Sequence, residues 1–86
     1  MKEVYIIYGI TDCPACLRAR ADLMDRDKEY VFVEADFSTS YRDALKEEFE
    51  WSTFPIIVKA TATAEEFIGG YDDLRYILEK ETTAPT

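Results

Sequence analysis

Residues 3–8 form a nearly unbroken apolar run, Glu-Val-Tyr-Ile-Ile-Tyr, which ends at Gly9. The run is too short for a stable helix, and its β-branched and aromatic residues favour a strand. Because the apolar residues occupy both alternating faces, the strand is expected to be buried on both sides, as in the parallel sheets of α/β proteins. A second run at residues 30–35 follows a helical pattern, which predicts a right-handed βαβ unit.

The first helix is predicted to begin within the sequence Thr-Asp-Cys-Pro-Ala-Cys, residues 11–16. Thr11 or Asp12 can cap this helix, and Pro14 fits its first turn, where a missing N–H costs nothing. Three apolar residues recur at helical spacing and are expected to face the sheet: Leu17, Ala21 and Met24.

The remaining elements are predicted from the same kinds of signal. The Ser-x-x-Asp pattern at 40–43 is a variant of the capping box and predicts the start of a second helix. Its inward face carries three apolar residues: Tyr41, Leu45 and Phe49. Residues 55–59 and 66–68 predict two strands joined as a hairpin, with a proline at the very start of the first. Residues 72–80 predict a closing helix.

The predicted order of elements is therefore β-α-β-α-β-β-α. This order defines an α/β fold with one four-stranded mixed sheet and three helices that cover both of its faces. The chain has 86 residues, enough for one small domain. We expect that domain to span residues 1–80, and residues 81–86 to form a flexible tail because they are small, polar and contain a proline.

The charge balance is strongly acidic, with a formal net charge of −8. Clustered Lys and Arg are needed to contact phosphate groups, so nucleic acid is not an expected partner, nor is an anionic membrane surface. An acidic face can still dock a basic patch of a protein. The chain has no apolar run of transmembrane length and no signal-peptide pattern at its start, so the expected location is the cytoplasm.

The two cysteines, Cys13 and Cys16, are separated by two residues and lie at the predicted helix start. The unpaired N–H groups and the dipole there favour a thiolate, so the pKa of Cys13 is expected to fall below its usual value of about 8.5. Cys16 lies one turn later on the same side, where it can attack a mixed disulfide on Cys13. Asp12 opposes a thiolate, unless it is turned towards solvent or caps the helix.

Other interpretations of the cysteine pair receive less support. A zinc site needs four ligands, and the chain has no histidine and no second cysteine pair, so no metal is expected. A permanent disulfide is disfavoured in the cytoplasm. Inert buried cysteines remain possible. However, a C-x-x-C pair near a βαβ pattern is a recognised redox signal.

Three stretches in the right order resemble the glutaredoxins, small proteins of the thioredoxin fold. These stretches are YGITDCPACLRARADL, STFPIIV and IGGYDDL, and the resemblance runs over residues 4–78. It implies a thioredoxin-like fold, with Cys13 as the nucleophile and Cys16 as the resolving thiol. It also implies that Thr53, Phe54 and Pro55 correspond to the family's Thr-Val-Pro, in which the proline is cis.

The resemblance further implies a glutathione site. The Phe54 backbone could pair with the tripeptide, and Tyr71 and Asp72 match family residues that hold its γ-glutamyl end. Asp73 is interpreted equally well as a helix cap. The sequence departs from the family in having Ile10 where a Lys or Arg is usual, and Ala15 where a tyrosine is usual.

The predicted function is thus that of a dithiol enzyme that reduces protein disulfides or glutathione mixed disulfides, with glutathione as reductant. The resemblance implies ribonucleotide reductase as a candidate partner, and a monomer is expected. One alternative is a thioredoxin-like carrier that is reduced by thioredoxin reductase, which the residue Ile10 favours. The others are a non-enzymatic interaction module with a redox switch, and a dimer bridged by an iron–sulfur cluster.

Overall fold

The computed structural model describes residues 3–82, with side chains described from Glu3 to Lys80. The elements are β1 (Val4–Gly9), α1 (Pro14–Asp25), β2 (Glu29–Glu34), α2 (Thr39–Phe49), β3 (Ile56–Ala60), β4 (Glu65–Gly69) and α3 (Tyr71–Thr82). The predicted fold class, a thioredoxin-like α/β fold with four strands and three helices, is confirmed. The helix α3 runs to Thr82, and the rest of the predicted tail, 83–86, lies outside the described residues.

The four strands form one mixed sheet in the order β2-β1-β3-β4. The β1 and β2 strands are parallel, as the βαβ pattern predicts, with Tyr5 opposite Tyr30. The β3 strand is antiparallel to both β1 and β4, and a register shift between Ile57 and Val58 interrupts the hairpin with β4. Since β1 and β3 occupy the centre of the sheet, the loops that follow β1 and precede β3 end beside one another.

The sheet has one apolar core on each face. The α1 and α3 helices cover the first face, where Leu23 of α1 and Leu74 of α3 are buried. The α2 helix covers the second face through Leu45, with Tyr41 and Phe49 packed around it as predicted. Each fully buried side chain of this size stabilises the fold by about 1.5–3 kcal/mol. Within residues 3–82, no helix combines the length and the apolar character needed to cross a membrane.

The predicted inward face of α1 is wrong. Leu17 and Met24 are 61% and 62% exposed, and Ala21 is exposed as well. The buried stripe is instead Cys16, Ala19 and Leu23. This stripe has the same helical spacing, but it is set by the position of Cys16, whose sulfur faces the sheet.

The predicted cap of α2 is also wrong. The helix begins at Thr39, and Ser38 rather than Ser40 is its cap, since the Ser38 hydroxyl accepts the Tyr41 N–H at 3.2 Å. Ser38 has an extended backbone, as a capping residue requires, whereas Ser40 already lies inside the first turn.

Candidate active site

Cys13 is itself the N-cap of α1, so neither Thr11 nor Asp12 has the capping role that the sequence suggested. The Cys13 Sγ accepts the backbone N–H of Cys16 at 3.2 Å, and the two side chains are joined in a disulfide with 5.2 Å between their Cα atoms. Asp12 has a left-handed backbone with φ of 55°, which an aspartate tolerates. This geometry places a half-buried sulfur at the positive end of the helix dipole.

Cys16 is the buried partner of the pair, with only 1% of its surface exposed. Its burial depends on Gly9 at the end of β1. A Cβ atom at position 9 would lie 2.9 Å from the Cys16 Sγ and 2.7 Å from the ring of Phe32. The sequence pattern marks Gly9 only as the end of a strand. Gly9 also leaves room for the Cys16 sulfur. This contact joins residues of different elements, so the pattern of a single strand does not reveal it.

The loop that precedes Cys13 is tied to the end of β2. The Asp36 carboxylate accepts the Thr11 backbone N–H at 2.9 Å and a very short hydrogen bond from the Thr11 hydroxyl. Both hydrogen bonds lower the pKa of Asp36 below its usual value, and the bond from the Thr11 hydroxyl has the larger effect. The Ala35 N–H also donates to the Gly9 carbonyl at 2.7 Å. Sequence reasoning missed Asp36, because the partner lies 25 positions away.

The Phe54–Pro55 segment lies directly against the cysteines. The Phe54–Pro55 peptide bond is cis, and the Phe54 carbonyl oxygen lies 3.9 Å from the Cys13 Sγ. Pro55 is buried, Phe54 is half-buried and Thr53 is exposed. The backbone of Phe54 therefore runs past the sulfur that the sequence marks as the nucleophile.

The start of α3 forms the wall opposite α1. Gly69 has φ of +127°, and a Cβ there would lie only 2.5 Å from the Asp73 carboxylate, so the position requires glycine. Asp73 accepts the Gly70 N–H at 3.0 Å and is therefore a helix cap. The Tyr71 hydroxyl donates to Asp22 of α1 at 2.8 Å. This hydrogen bond turns the Tyr71 hydroxyl towards α1 and is the main cause that raises its pKa.

These segments enclose a cavity of about 350 Å³, which we call the first groove. Its lining includes all five residues predicted for the glutathione site: Thr53, Phe54, Pro55, Tyr71 and Asp72. The other lining residues are Ala15, Arg18, Trp51, Gly70 and Asp73. Among these, Arg18 supplies a positive charge to the groove.

Two residues near the end of β1 lie outside the first groove. Ile10 lines a separate groove on the other side of the cysteines. Tyr8 packs against Phe49 with 5.8 Å between ring centroids, on the α2 face. Among residues 3–82, no group of three or more His, Cys, Asp or Glu side chains is placed to hold a metal ion.

A disulfide at the start of a helix in this fold is a couple that exchanges with other thiols and disulfides. The protein is accordingly a thiol–disulfide oxidoreductase of the thioredoxin fold. A family model described as Glutaredoxin matches residues 5–61, more than half of the chain. The chain belongs to the glutaredoxin family.

Solved structures agree with this membership. A glutaredoxin from Brucella melitensis is 35% identical, with a TM-score of 0.68 over 90% of this chain and 78% of that chain. A dithiolic glutaredoxin from Trypanosoma brucei brucei is 27% identical, with a TM-score of 0.67 over 91% and 78%. The NrdH-redoxin of Escherichia coli shares the fold at 16% identity, with a TM-score of 0.65 over 95% and 99%. No curated protein sequence matches the chain.

Proposed function

We propose that the protein is a glutathione-dependent dithiol oxidoreductase that reduces protein disulfides and glutathione mixed disulfides. The observation that supports the proposal is the first groove, whose lining combines the Arg18 side chain, the Phe54 segment and the start of α3, with the Phe54 carbonyl oxygen 3.9 Å from the Cys13 Sγ. Those are the three kinds of group that a tripeptide with two carboxylates requires.

Reduction begins at Cys13. Its thiolate is favoured by the N–H of Cys16 and by the helix dipole, and it attacks one sulfur of the substrate disulfide. The old S–S bond breaks, and the leaving sulfur departs as a thiolate that takes a proton from water. Cys16, after losing its proton to solvent, attacks the Cys13 Sγ and releases the second substrate thiol. The product is the Cys13–Cys16 disulfide, which is the state of this structure.

Glutathione reverses this state with two electrons. One molecule attacks the Cys13 Sγ, Cys16 leaves as a thiol, and a second molecule attacks the resulting mixed disulfide to form oxidised glutathione. In the first groove, Arg18 would meet one carboxylate, and the first N–H groups of α3 would meet the other. The Asp72 carboxylate would accept the ammonium group, and the Phe54 backbone would pair with the cysteinyl part.

A second candidate function is that of a carrier reduced by thioredoxin reductase. Ile10 stands where the glutaredoxins usually carry a basic residue, and the net charge of −8 repels an anion. The similar fold of NrdH-redoxin, described as a glutaredoxin-like protein with a thioredoxin-like activity profile, also favours this candidate. Arg18 in the first groove favours glutathione instead, since it supplies a cation that Ile10 cannot.

We propose a cytoplasmic monomer that donates electrons to proteins whose turnover forms disulfides, with ribonucleotide reductase as a candidate. The acidic surface would favour partners that present a basic patch.

The test follows NADPH consumption by the oxidised protein in two mixtures. One mixture contains glutathione and glutathione reductase, and the other contains thioredoxin reductase alone. Turnover in the first supports glutathione dependence, whereas turnover only in the second supports the carrier. Cys13→Ser should abolish exchange in both mixtures. Cys16→Ser should keep reduction of glutathione mixed disulfides and lose reduction of protein disulfides, and full dithiol activity of either variant would contradict the mechanism.

A further inference from the structure

A second groove opens on the other side of the cysteine pair. It has a volume of about 310 Å³, and both Cys13 and Cys16 line it. Within the part of the chain that the structure describes, the two grooves share no lining residue. The second groove also lies on the β2 side of β1, since its wall includes Phe32 and Glu34, whereas the first groove lies on the β3 side.

The helix α1 separates the two grooves. Ala15 and Arg18, three positions apart, line the first groove. Leu17 and Arg20, also three positions apart, line the second groove. The buried stripe that begins at Cys16 runs between these two flanks. A substrate bonded to the Cys13 sulfur can therefore place one arm on each side of α1.

The second groove has an apolar floor. Leu17 is 61% exposed there, and Ile10 and Phe32 complete the apolar lining. The Arg20 guanidinium lies over the Phe32 ring, 5.0 Å from its centroid, and its Nε lies 3.5 Å from the Tyr30 hydroxyl. Arg20 is the one cationic side chain among the described residues that line the groove, and these contacts hold it against the β2 strand.

The rim of the second groove is acidic. Asp12 and Glu34 line it, and Asp36 is fixed beside it by Thr11. The two lining carboxylates outnumber the Arg20 guanidinium, and Asp36 adds a third negative charge nearby, so the local charge opposes an anion such as glutathione and attracts a cation. The first groove likewise has two lining carboxylates, Asp72 and Asp73, beside one guanidinium, that of Arg18, so the second groove is distinguished by its third carboxylate, that of Asp36.

We propose that the second groove receives the polypeptide flank of a protein disulfide substrate and selects a flank with an apolar and a basic residue. The inference rests on the disulfide exchange described above, and it deepens that function by naming the substrate class. Because both cysteines line the second groove, the chain segment beside the substrate's reacting sulfur would lie in it. The apolar floor contacts an apolar side chain of that segment, and the acidic rim pairs with its Lys or Arg.

The test is a single-turnover reaction that needs no glutathione, so it stands even if glutathione is not the reductant. The reduced protein is mixed with a peptide whose one cysteine forms a mixed disulfide with 2-mercaptoethanol, and loss of that disulfide is followed by chromatography. Cys13 and Cys16 supply both electrons, and the products are the oxidised protein and two thiols. Two peptides are compared that differ only in having Lys or Glu beside the cysteine. The rate of each peptide with the protein is divided by the rate of the same peptide with dithiothreitol, which removes the intrinsic reactivity of its disulfide.

The wild-type protein should prefer the Lys peptide by about tenfold at low ionic strength, and the preference should approach one at about 0.5 M salt. The double substitution Asp12→Asn, Glu34→Gln should lower the preference by about threefold or more. The matched control, Asp43→Asn with Glu48→Gln, removes the same charge from α2 and should keep the preference. No preference in the wild type, or an equal loss in the control, would overturn the proposal.

A second pair of variants tests the apolar floor. Leu17→Ser should lower the preference for a peptide with Leu beside its cysteine over one with Ser, by about threefold. Met24→Ser, which changes an equally exposed residue of α1 outside the groove, should keep that preference. Since both positions are exposed, neither change is expected to disturb folding. An unchanged preference in Leu17→Ser would overturn the assignment of the floor.

Discussion

The Tyr71 hydroxyl and the Asp22 carboxylate are joined by a hydrogen bond of 2.8 Å, which links the first residue of α3 to the middle of α1. These two helices form opposite walls of the first groove. The hydrogen bond therefore sets how far apart the walls lie at the point where glutathione is proposed to bind.

Tyr71→Phe removes this link and should lower the free energy of unfolding by about 0.5–1 kcal/mol at neutral pH. The hydrogen bond to Asp22 raises the pKa of Tyr71 in the folded state. Its contribution is then complete below about pH 10, the pKa of the unfolded chain, and is lost as the pH rises through the folded pKa. Urea unfolding between about pH 7 and pH 11 should show the two curves converging at the alkaline end.

The matched control for this experiment is Tyr76→Phe. Tyr76 lies on the same helix, is exposed, and interacts through its ring with Lys80, which a phenylalanine ring preserves. This control should follow the wild-type curve over the whole pH range. A constant difference between Tyr71→Phe and the wild type up to the alkaline limit would contradict the role of the hydrogen bond.

Arg18→Ala tests the electrostatics of the first groove. Removal of the guanidinium should raise the KM for glutathione mixed disulfides by about 3- to 10-fold and leave kcat within about twofold, because the charge binds substrate and transition state alike. Steady-state kinetics in the glutathione reductase mixture measure both constants. Arg42→Ala on α2 makes the same change in net charge outside this groove. An equal rise of KM in both variants would show that the effect comes from the net charge of the protein and not from the position of Arg18 in the first groove.

Asp36→Asn tests the tie between the active-site loop and β2. The Thr11 hydrogen bonds lower the pKa of Asp36, so the stabilisation they supply is present above the unfolded pKa of about 3.9. It is lost as the pH falls through the lower folded pKa. Melting temperatures should therefore show the variant less stable than the wild type at neutral pH, with the two converging at acid pH. Asp43→Asn on α2 should show no such convergence, and a wild-type melting curve for Asp36→Asn at neutral pH would refute the tie.

The strands and the cysteine pair were predictable from the sequence because their signals are local. An apolar run of strand length, a proline and two cysteines spaced for one helical turn are all visible within residues 3–16. The inward face of α1 was not predictable in the same way. Leu17 and Met24 compete with Cys16 and Leu23 as apolar stripes of equal spacing, and only the position of the Cys16 sulfur against the sheet decides between them.

The residues around the site also divide into those that a local motif reveals and those whose roles depend on distant parts of the chain. Phe54 and Pro55 were found because they stand in a short motif that resembles the family. Arg18 and Asp36 were missed because their roles depend on neighbours distant in the chain, such as Thr11, which lies 25 positions before Asp36. No pattern of helical or strand periodicity contains such a pairing.

Gly9→Ala is the sharpest test of how the buried cysteine is accommodated. The added methyl group would lie 2.7 Å from the Phe32 ring and 2.9 Å from the Cys16 Sγ, closer than packed atoms approach. Since β1 is a central strand, it cannot shift without moving both neighbours, and the variant should lose about 1–3 kcal/mol of stability. The displaced Cys16 should also resolve mixed disulfides more slowly.

Gly70→Ala is the control, because its added methyl group would meet Trp51 at an ordinary 3.5 Å, and its stability should remain within about 1 kcal/mol of wild type. Urea unfolding of the oxidised proteins gives the first quantity, and quenched-flow trapping of the mixed disulfide gives the second. Equal stability of the two variants would show that the methyl group at position 9 causes no clash, and would contradict the close packing of Gly9 against Cys16 and Phe32.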